Sequence, residues 1–235
     1  MTNHPLKNQI ILVTGASGAL GRMAAKTCAA AGATVILMGR RIPPLERLYD
    51  EITLAGDLTP AILPLDLAKA GEQHYEELAT TIREELGGLT GLIHCAAELG
   101  HLSPLSDIDS LRWQRLLQVN LTAPYMLTRA VLRLMLDSTE SGNVVFVGDS
   151  GVADGRAFWG AYGVAKIALA GFGRILNAET ESLGLRTHLW TPGPMRTSIR
   201  LRAYPGENPT SLPGPEIHAE QIIRLFSPDN FIQTS

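Results

Sequence analysis

Tyr162 and Lys166 stand four residues apart in Trp159-Gly160-Ala161-Tyr162-Gly163-Val164-Ala165-Lys166. On a helix this spacing puts both side chains on one face, one turn apart. An ammonium beside a phenol favours the phenolate and lowers a pKa that is ordinarily ~10. Tyr162 is then a candidate proton donor and acceptor near neutral pH. The same pair also occurs on ordinary helix surfaces, so its meaning depends on what the chain builds around it.

A second constellation supplies that context. Thr14-Gly15-Ala16-Ser17-Gly18-Ala19-Leu20-Gly21 follows the apolar run Ile10-Ile11-Leu12-Val13 and opens a helical pattern. Strand, glycine turn and helix in this order form a dinucleotide-binding arrangement. Glycine allows the sharp turn and the close approach of backbone to a pyrophosphate, and the helix N-terminus offers free N–H groups. A tight turn without a ligand is the plainer reading. Gly39-Arg40-Arg41 closes the second apolar run. A carboxylate there would hold a ribose 2′-hydroxyl, whereas arginine suits a 2′-phosphate. NADP is therefore preferred, with NAD possible. Asp66, followed by Leu67, would accept from the adenine amino group or cap the next segment.

The elements that must position these groups alternate along the chain. Apolar runs at Ile10–Val13, Val35–Met38, Ala61–Leu63, Leu92–Ile93, Val144–Val147 and Leu189–Trp190 read as strands. Leu20–Ala31, Leu45–Ala55, His74–Leu86, Ser110–Asp137, Ala161–Leu183 and Ile217–Phe226 read as helices. Strands apolar on both sides and joined by helices imply a parallel sheet covered on both faces. Right-handed crossovers give an α/β, Rossmann-type doubly wound sheet of six to seven strands, with Phe231-Ile232 as the candidate seventh. Pro192–Pro215 is rich in Pro and Gly and reads as a long loop, with 193–215 a candidate substrate lid.

Composition bounds the rest. The 235 residues, 45% of them hydrophobic, suit one α/β domain over 1–235. A net charge of −3 without a basic block argues against nucleic acid as the partner. Cys28 and Cys95 have no metal-ligand spacing, so no metal is expected. Free thiols suit a reducing compartment. Met1–Gln9 lacks a signal-like apolar region, and no run reaches the ~18 apolar residues of a membrane span. A cytoplasmic protein without membrane attachment is expected.

With the glycine turn, Asn120, Tyr162 and Lys166 in this order, the chain resembles the short-chain dehydrogenase/reductase family, in its single-domain branch, from about Ile10 to about Thr197. The resemblance implies an NADP(H)-linked oxidoreductase acting on a carbonyl or alcohol. It implies Tyr162 as general acid/base and Lys166 as the group that lowers its pKa and binds the nicotinamide ribose. A Ser near position 150 would orient the carbonyl, and Asn120 would hold a relay water. Pro192-Gly193-Pro194-Met195-Arg196-Thr197 resembles the family's Pro-Gly-xxx-Thr segment, which suggests that Thr197 contacts the carboxamide. The resemblance further implies a homodimer or homotetramer, with Ser110–Asp137 and Ala161–Leu183 pairing across a dimer axis. One local detail bears on Asn120 independently. Pro124 lacks an N–H, so it leaves the Asn120 carbonyl free for a water, or merely kinks the helix.

The chain departs from the family pattern at three points. Ala19 replaces the middle glycine of the turn, and Gly18 sits one place earlier. His94-Cys95-Ala96-Ala97 stands where Asn-Asn-Ala-Gly is usual. Both features resemble the extended branch, which includes nucleotide-sugar epimerases. His94 reads as a packed structural residue and Cys95 as a small buried hydrophobe. The third departure is chemical. Asp149 holds the position usual for the catalytic Ser, and Ser150 follows it. An ionised carboxylate cannot donate to a carbonyl oxygen, and it opposes a phenolate. Ser150 is the preferred carbonyl-polarising group; a protonated Asp149 or weakened catalysis are the alternatives. A non-catalytic dinucleotide sensor or scaffold, and an epimerase-like enzyme, remain open as other functions. Arg196, Arg200 and Arg202 in the candidate lid would favour an anionic substrate if they face inward.

Overall fold

The computed structural model describes residues 4–138 and 140–226. Six parallel strands form one sheet: β1 (Ile10–Thr14), β2 (Thr34–Gly39), β3 (Ala61–Pro64), β4 (Gly91–His94), β5 (Gly142–Val147) and β6 (Leu185–Trp190). Their spatial order is β3-β2-β1-β4-β5-β6. The order reverses between β1 and β4, where a doubly wound sheet opens a crevice beyond its strand ends. Phe231-Ile232, the candidate seventh strand, lies outside the described residues.

Alternation along the strands explains why both faces are covered. Ile11 and Val13 enter one core layer with Val35, Leu37 and Ile93. Leu12, between them, enters the other with Ile36, Met38 and Leu92. Successive strand side chains point to opposite faces, so an unbroken apolar run buries on both. On the first face lie α1 (Ala19–Ala30), α2 (Ile42–Leu54) and α8 (Ala219–Leu225), contributing Met23, Leu45 and Ile222. On the second lie α3 (Glu72–Leu86), α5 (Ala123–Leu136) and α6 (Gly160–Thr180), contributing Tyr75, Leu127 and Leu169.

Two expected elements differ. The single helix expected over Ser110–Asp137 is divided into α4 (Ser110–Leu117), one π turn (Gln118–Thr122) and α5. The Ala123 N–H reaches back five residues to the Gln118 carbonyl. Pro124 has no N–H with which to continue the ordinary four-residue ladder, so the extra residue is accommodated at this point. The segment expected as a bare loop, Pro192–Pro215, contains α7 (Ser198–Ala203) and a 3₁₀ turn at Pro209–Ser211. Thr197 Oγ1 accepts the Arg200 N–H at 3.2 Å and caps α7. Asn208 Oδ1 similarly accepts the Thr210 N–H at 3.0 Å.

Candidate active site

The carboxyl ends of β1, β2, β4 and β5 open into one cavity of about 660 Å³. Its floor is the turn from β1 to α1. Gly15 has φ +65°, and a Cβ there would lie 2.8 Å from the Ala96 backbone. A Cβ on Gly21 would strike the Gly15 carbonyl. These two positions require glycine on steric grounds. Gly18 caps α1 without any side-chain hydrogen bond, so the first N–H groups of that helix lack an internal partner. Ser17, Ala19 and Leu20 complete the rim. Ala96 N–H donates to Thr14 Oγ1 at 3.1 Å, tying the end of β4 to that of β1.

At the β2 end, Arg40 and Arg41 are exposed and face the cavity. Neither guanidinium has a hydrogen bond or ion pair among the described residues. Asp66 and Leu67 line the neighbouring wall, where Asp66 Oδ1 accepts the Ala68 N–H at 3.1 Å. Cys95, Ala96 and Ala97 form the wall after β4. Pro192, Gly193, Met195 and Thr197 close the far side. The glycine floor, the free helix N-terminus and the unpaired arginines together fit a phosphorylated dinucleotide.

The proton-handling groups come from α6 and the end of β5. Tyr162 and Lys166 are both buried, on one face of α6. Lys166 Nζ donates to the Val147 carbonyl at 2.7 Å. Burial lowers the Lys166 pKa to about 8, against the opposing pull of Asp149. The lowering of the Tyr162 pKa expected from Lys166 meets opposing influences in this arrangement. Burial and the Asp149 carboxylate push Tyr162 above the ordinary phenol range. The ammonium lies 5.8 Å from the Tyr162 ring centre, while Asp149 is in direct contact.

That contact bears on the Asp149 and Ser150 alternatives. Tyr162 donates its hydroxyl proton to Asp149 Oδ2 at 2.8 Å, and Gly151 N–H donates to Asp149 Oδ1 at 2.9 Å. Ser150 lines the cavity but is exposed. The preference for Ser150 beside Tyr162 is therefore corrected. The Asx turn of Asp149 with Gly151 holds the carboxylate against the Tyr162 hydroxyl.

Asn120 is buried behind the wall to which Val119 contributes. Its amide donates to the Glu98 and Leu116 carbonyls at 2.9 and 2.8 Å, and its Oδ1 accepts the Glu98 N–H at 3.0 Å. The side chain is thus engaged in a clamp on the loop after β4. His94 is neutral and packed. It stacks on Phe146 with ring centres 4.9 Å apart and bonds Thr128 Oγ1 at 2.9 Å, and burial drives its pKa to about 3. Burial likewise raises the Cys95 thiol to about 12, which leaves a poor nucleophile.

Sequence reasoning missed part of the substrate end. Leu99, Trp159 and Ala203 pack with Tyr162, and Tyr204 joins this cluster. Trp159, three residues before Tyr162, was detectable from helical spacing; Leu99 carried no such signal. Two of the three lid arginines are engaged. Arg200 pairs with Glu207 through two bonds of 2.6 and 2.7 Å and lies 3.7 Å from the Tyr204 ring centre. Arg202 donates to the Gly100 carbonyl at 2.6 Å, and Arg196 is exposed.

This fold and cavity are those of a dinucleotide-linked oxidoreductase. The short chain dehydrogenase family model matches residues 9–208, and the chain belongs to that family of NAD(P)-dependent oxidoreductases. It is 40% identical over 210 residues to an uncharacterized oxidoreductase, YciK, of Escherichia coli K12, covering 89% of this chain and 82% of that one. A short chain dehydrogenase structure from Pseudomonas syringae superposes with a TM-score of 0.93 at 39% identity, covering 97% of this chain and 92% of that one. One from Shigella flexneri 2a, complexed with NADP, gives 0.92 at 37%, covering 97% and 94%. Among the described residues, no helix is long and apolar enough to cross a membrane.

Proposed function

We propose that this chain, acting as one domain, transfers hydride between NADP(H) and a small-molecule carbonyl or alcohol in the cavity described above. The observation that carries this reading is the meeting of the Tyr162/Lys166 face, the glycine floor and two unpaired arginines around one space. Gly15, Gly18 and the α1 N-terminus would hold the pyrophosphate, and Arg40 and Arg41 the 2′-phosphate. Asp66 would receive the adenine amino group, and Thr197 the carboxamide. The relatives solved with NADP and NADPH support this choice over NAD. When bound, the nicotinamide supplies or accepts the hydride.

The chain's own residues manage the proton. Tyr162 donates to the developing oxygen, and the Lys166 ammonium offsets the phenolate charge. Asn120 would hold a relay water through its backbone carbonyl, because its amide nitrogen is committed to Glu98 and Leu116. Asp149 opposes the phenolate, so carbonyl reduction is harder here than beside a hydroxyl. That contact also motivates a second reading, a non-catalytic dinucleotide sensor. The two free thiols suit a reducing, cytoplasmic setting.

Fluorescence titration with NADPH and NADH tests the cofactor assignment, with NADPH expected to bind more tightly. Tyr162→Phe tests the chemistry. Turnover is expected to fall by roughly 10²–10⁴-fold with NADPH affinity retained. Unchanged turnover would remove Tyr162 from the role, and absence of turnover in the parent chain would favour the sensor.

A further inference from the structure

The side chain beside Tyr162 at the reaction centre is an acceptor. Asp149 offers roughly four lone-pair sites on its two oxygens. Tyr162 occupies one on Oδ2, and the Gly151 N–H occupies one on Oδ1. Each oxygen retains capacity for a further donor. A ketone oxygen has no proton to give and repels a carboxylate. A protonated imine nitrogen has both a proton and a positive charge. Trp159, Tyr162 and Tyr204 give the substrate end aromatic surface, and the Arg156 and Arg200 guanidinium groups already lie on the Trp159 and Tyr204 rings. Of the nearby arginines, Arg200 is held bidentately by Glu207, Arg156 donates to the Tyr204 hydroxyl at 2.8 Å, and Arg202 donates to the Gly100 carbonyl. The groups facing Asp149 are Tyr162, Lys166, Arg200 and Tyr204.

We propose a further activity at this site: reduction of protonated carbon–nitrogen double bonds, with the iminium N–H donating to Asp149. The inference rests on the hydride-transfer reading above. The step balances without a phenolate. Hydride from NADPH forms a C–H bond at the iminium carbon. The π pair of the C=N bond becomes the nitrogen lone pair, giving a neutral amine and NADP⁺. The proton already on nitrogen stays there, and the amine takes a second proton from solvent. Tyr162 remains a neutral phenol holding Asp149 in place, which agrees with the direction in which burial and the carboxylate drive it. A hydroxyl side chain at position 149 would have no charge to select this substrate.

The test uses a shape-matched pair, 3,4-dihydroisoquinoline and 1-tetralone, with NADPH and the full chain. The imine is expected to be reduced with kcat/KM at least about tenfold above the ketone. Asp149→Ser should reverse that order, and Asp149→Asn, which keeps the volume, should lower imine reduction by at least about tenfold. An equilibrium readout accompanies these rates. Calorimetry should show the product ammonium, 1,2,3,4-tetrahydroisoquinolinium, binding the parent chain at least about tenfold more tightly than Asp149→Asn. Equal use of ketone and imine, or ammonium binding indifferent to Asp149→Asn, would overturn the proposal. Reduction of the ketone without the imine would overturn it alone, and normal NADPH binding with neither compound reduced would overturn it together with the hydride-transfer reading. Failure to bind NADPH would overturn the cofactor reading and this one together.

Discussion

At the residue scale, the chemistry turns on two buried groups whose environments push them away from charge. Lys166 holds its proton only up to about pH 8 in the folded chain, against 10.5 for an unperturbed lysine. Between those values the unfolded chain binds more protons, so stability is expected to rise with pH across that window. Below it, both states hold the proton and the burial cost is present in full. Urea midpoints at pH 7.5 and 10 should therefore differ by less in Lys166→Met than in the parent. Turnover that needs the ammonium should decline above about pH 8 in the same protein. His94 is the acid-side counterpart. Its folded pKa is about 3 against 6.5, so its contribution is complete above pH 6.5 and is lost as pH falls toward 3. His188, lowered to about 4 mainly by burial, loses stability in an overlapping window. His94→Gln is expected to reduce the steepness of acid unfolding followed by circular dichroism between pH 6.5 and 4.

At the scale of elements, the site is a set of strand ends held at fixed separation, and Gly15 is where that separation is tightest. Gly15→Ala adds a Cβ 2.8 Å from the Ala96 backbone at a φ of +65°. A loss of about 1–3 kcal/mol in denaturant unfolding is expected, together with much weaker NADPH binding. This turn was legible in the sequence because glycine is demanded by backbone geometry alone. The sheet was legible for a similar reason, since runs such as Ile10–Val13 bury on both faces whatever the fold's details. The break at Gln118–Thr122 was signalled only partly. Pro124 marks a lost hydrogen bond, but proline does not say whether the helix kinks, ends or takes up an extra residue. The choice between Asp149 and Ser150 was beyond sequence reading. It depends on a local turn closed by the Gly151 N–H, a matter of a single peptide orientation. The pairing of Arg200 with Glu207 was hidden likewise, because it requires α7 to form inside a segment rich in Pro and Gly.

At the scale of the whole molecule, α4, α5 and α6 carry apolar side chains left exposed among the described residues. Leu111 on α4, Tyr125 on α5, and Val164, Ile167 and Ile175 on α6 are all at least 43% exposed. The last three share α6 with Tyr162 and Lys166, which point inward from the same helix. An exposed apolar face is the pattern of an association surface. Self-pairing through the same helices would make a two-fold interface. This is the axis expected from the family resemblance, and it places α6 between the interface and the cavity. A charge at its centre should therefore separate assembly from cofactor binding. Ile167→Glu is expected to convert a dimer or tetramer to a smaller species in light scattering after size exclusion. NADPH affinity should stay within about threefold, because none of the dinucleotide-facing residues lies on that face and distant sites act nearly independently. Unchanged mass would exclude this face as the contact. Loss of NADPH binding along with assembly would instead mean that α6 needs its partner copy to hold Tyr162 and Lys166 in position.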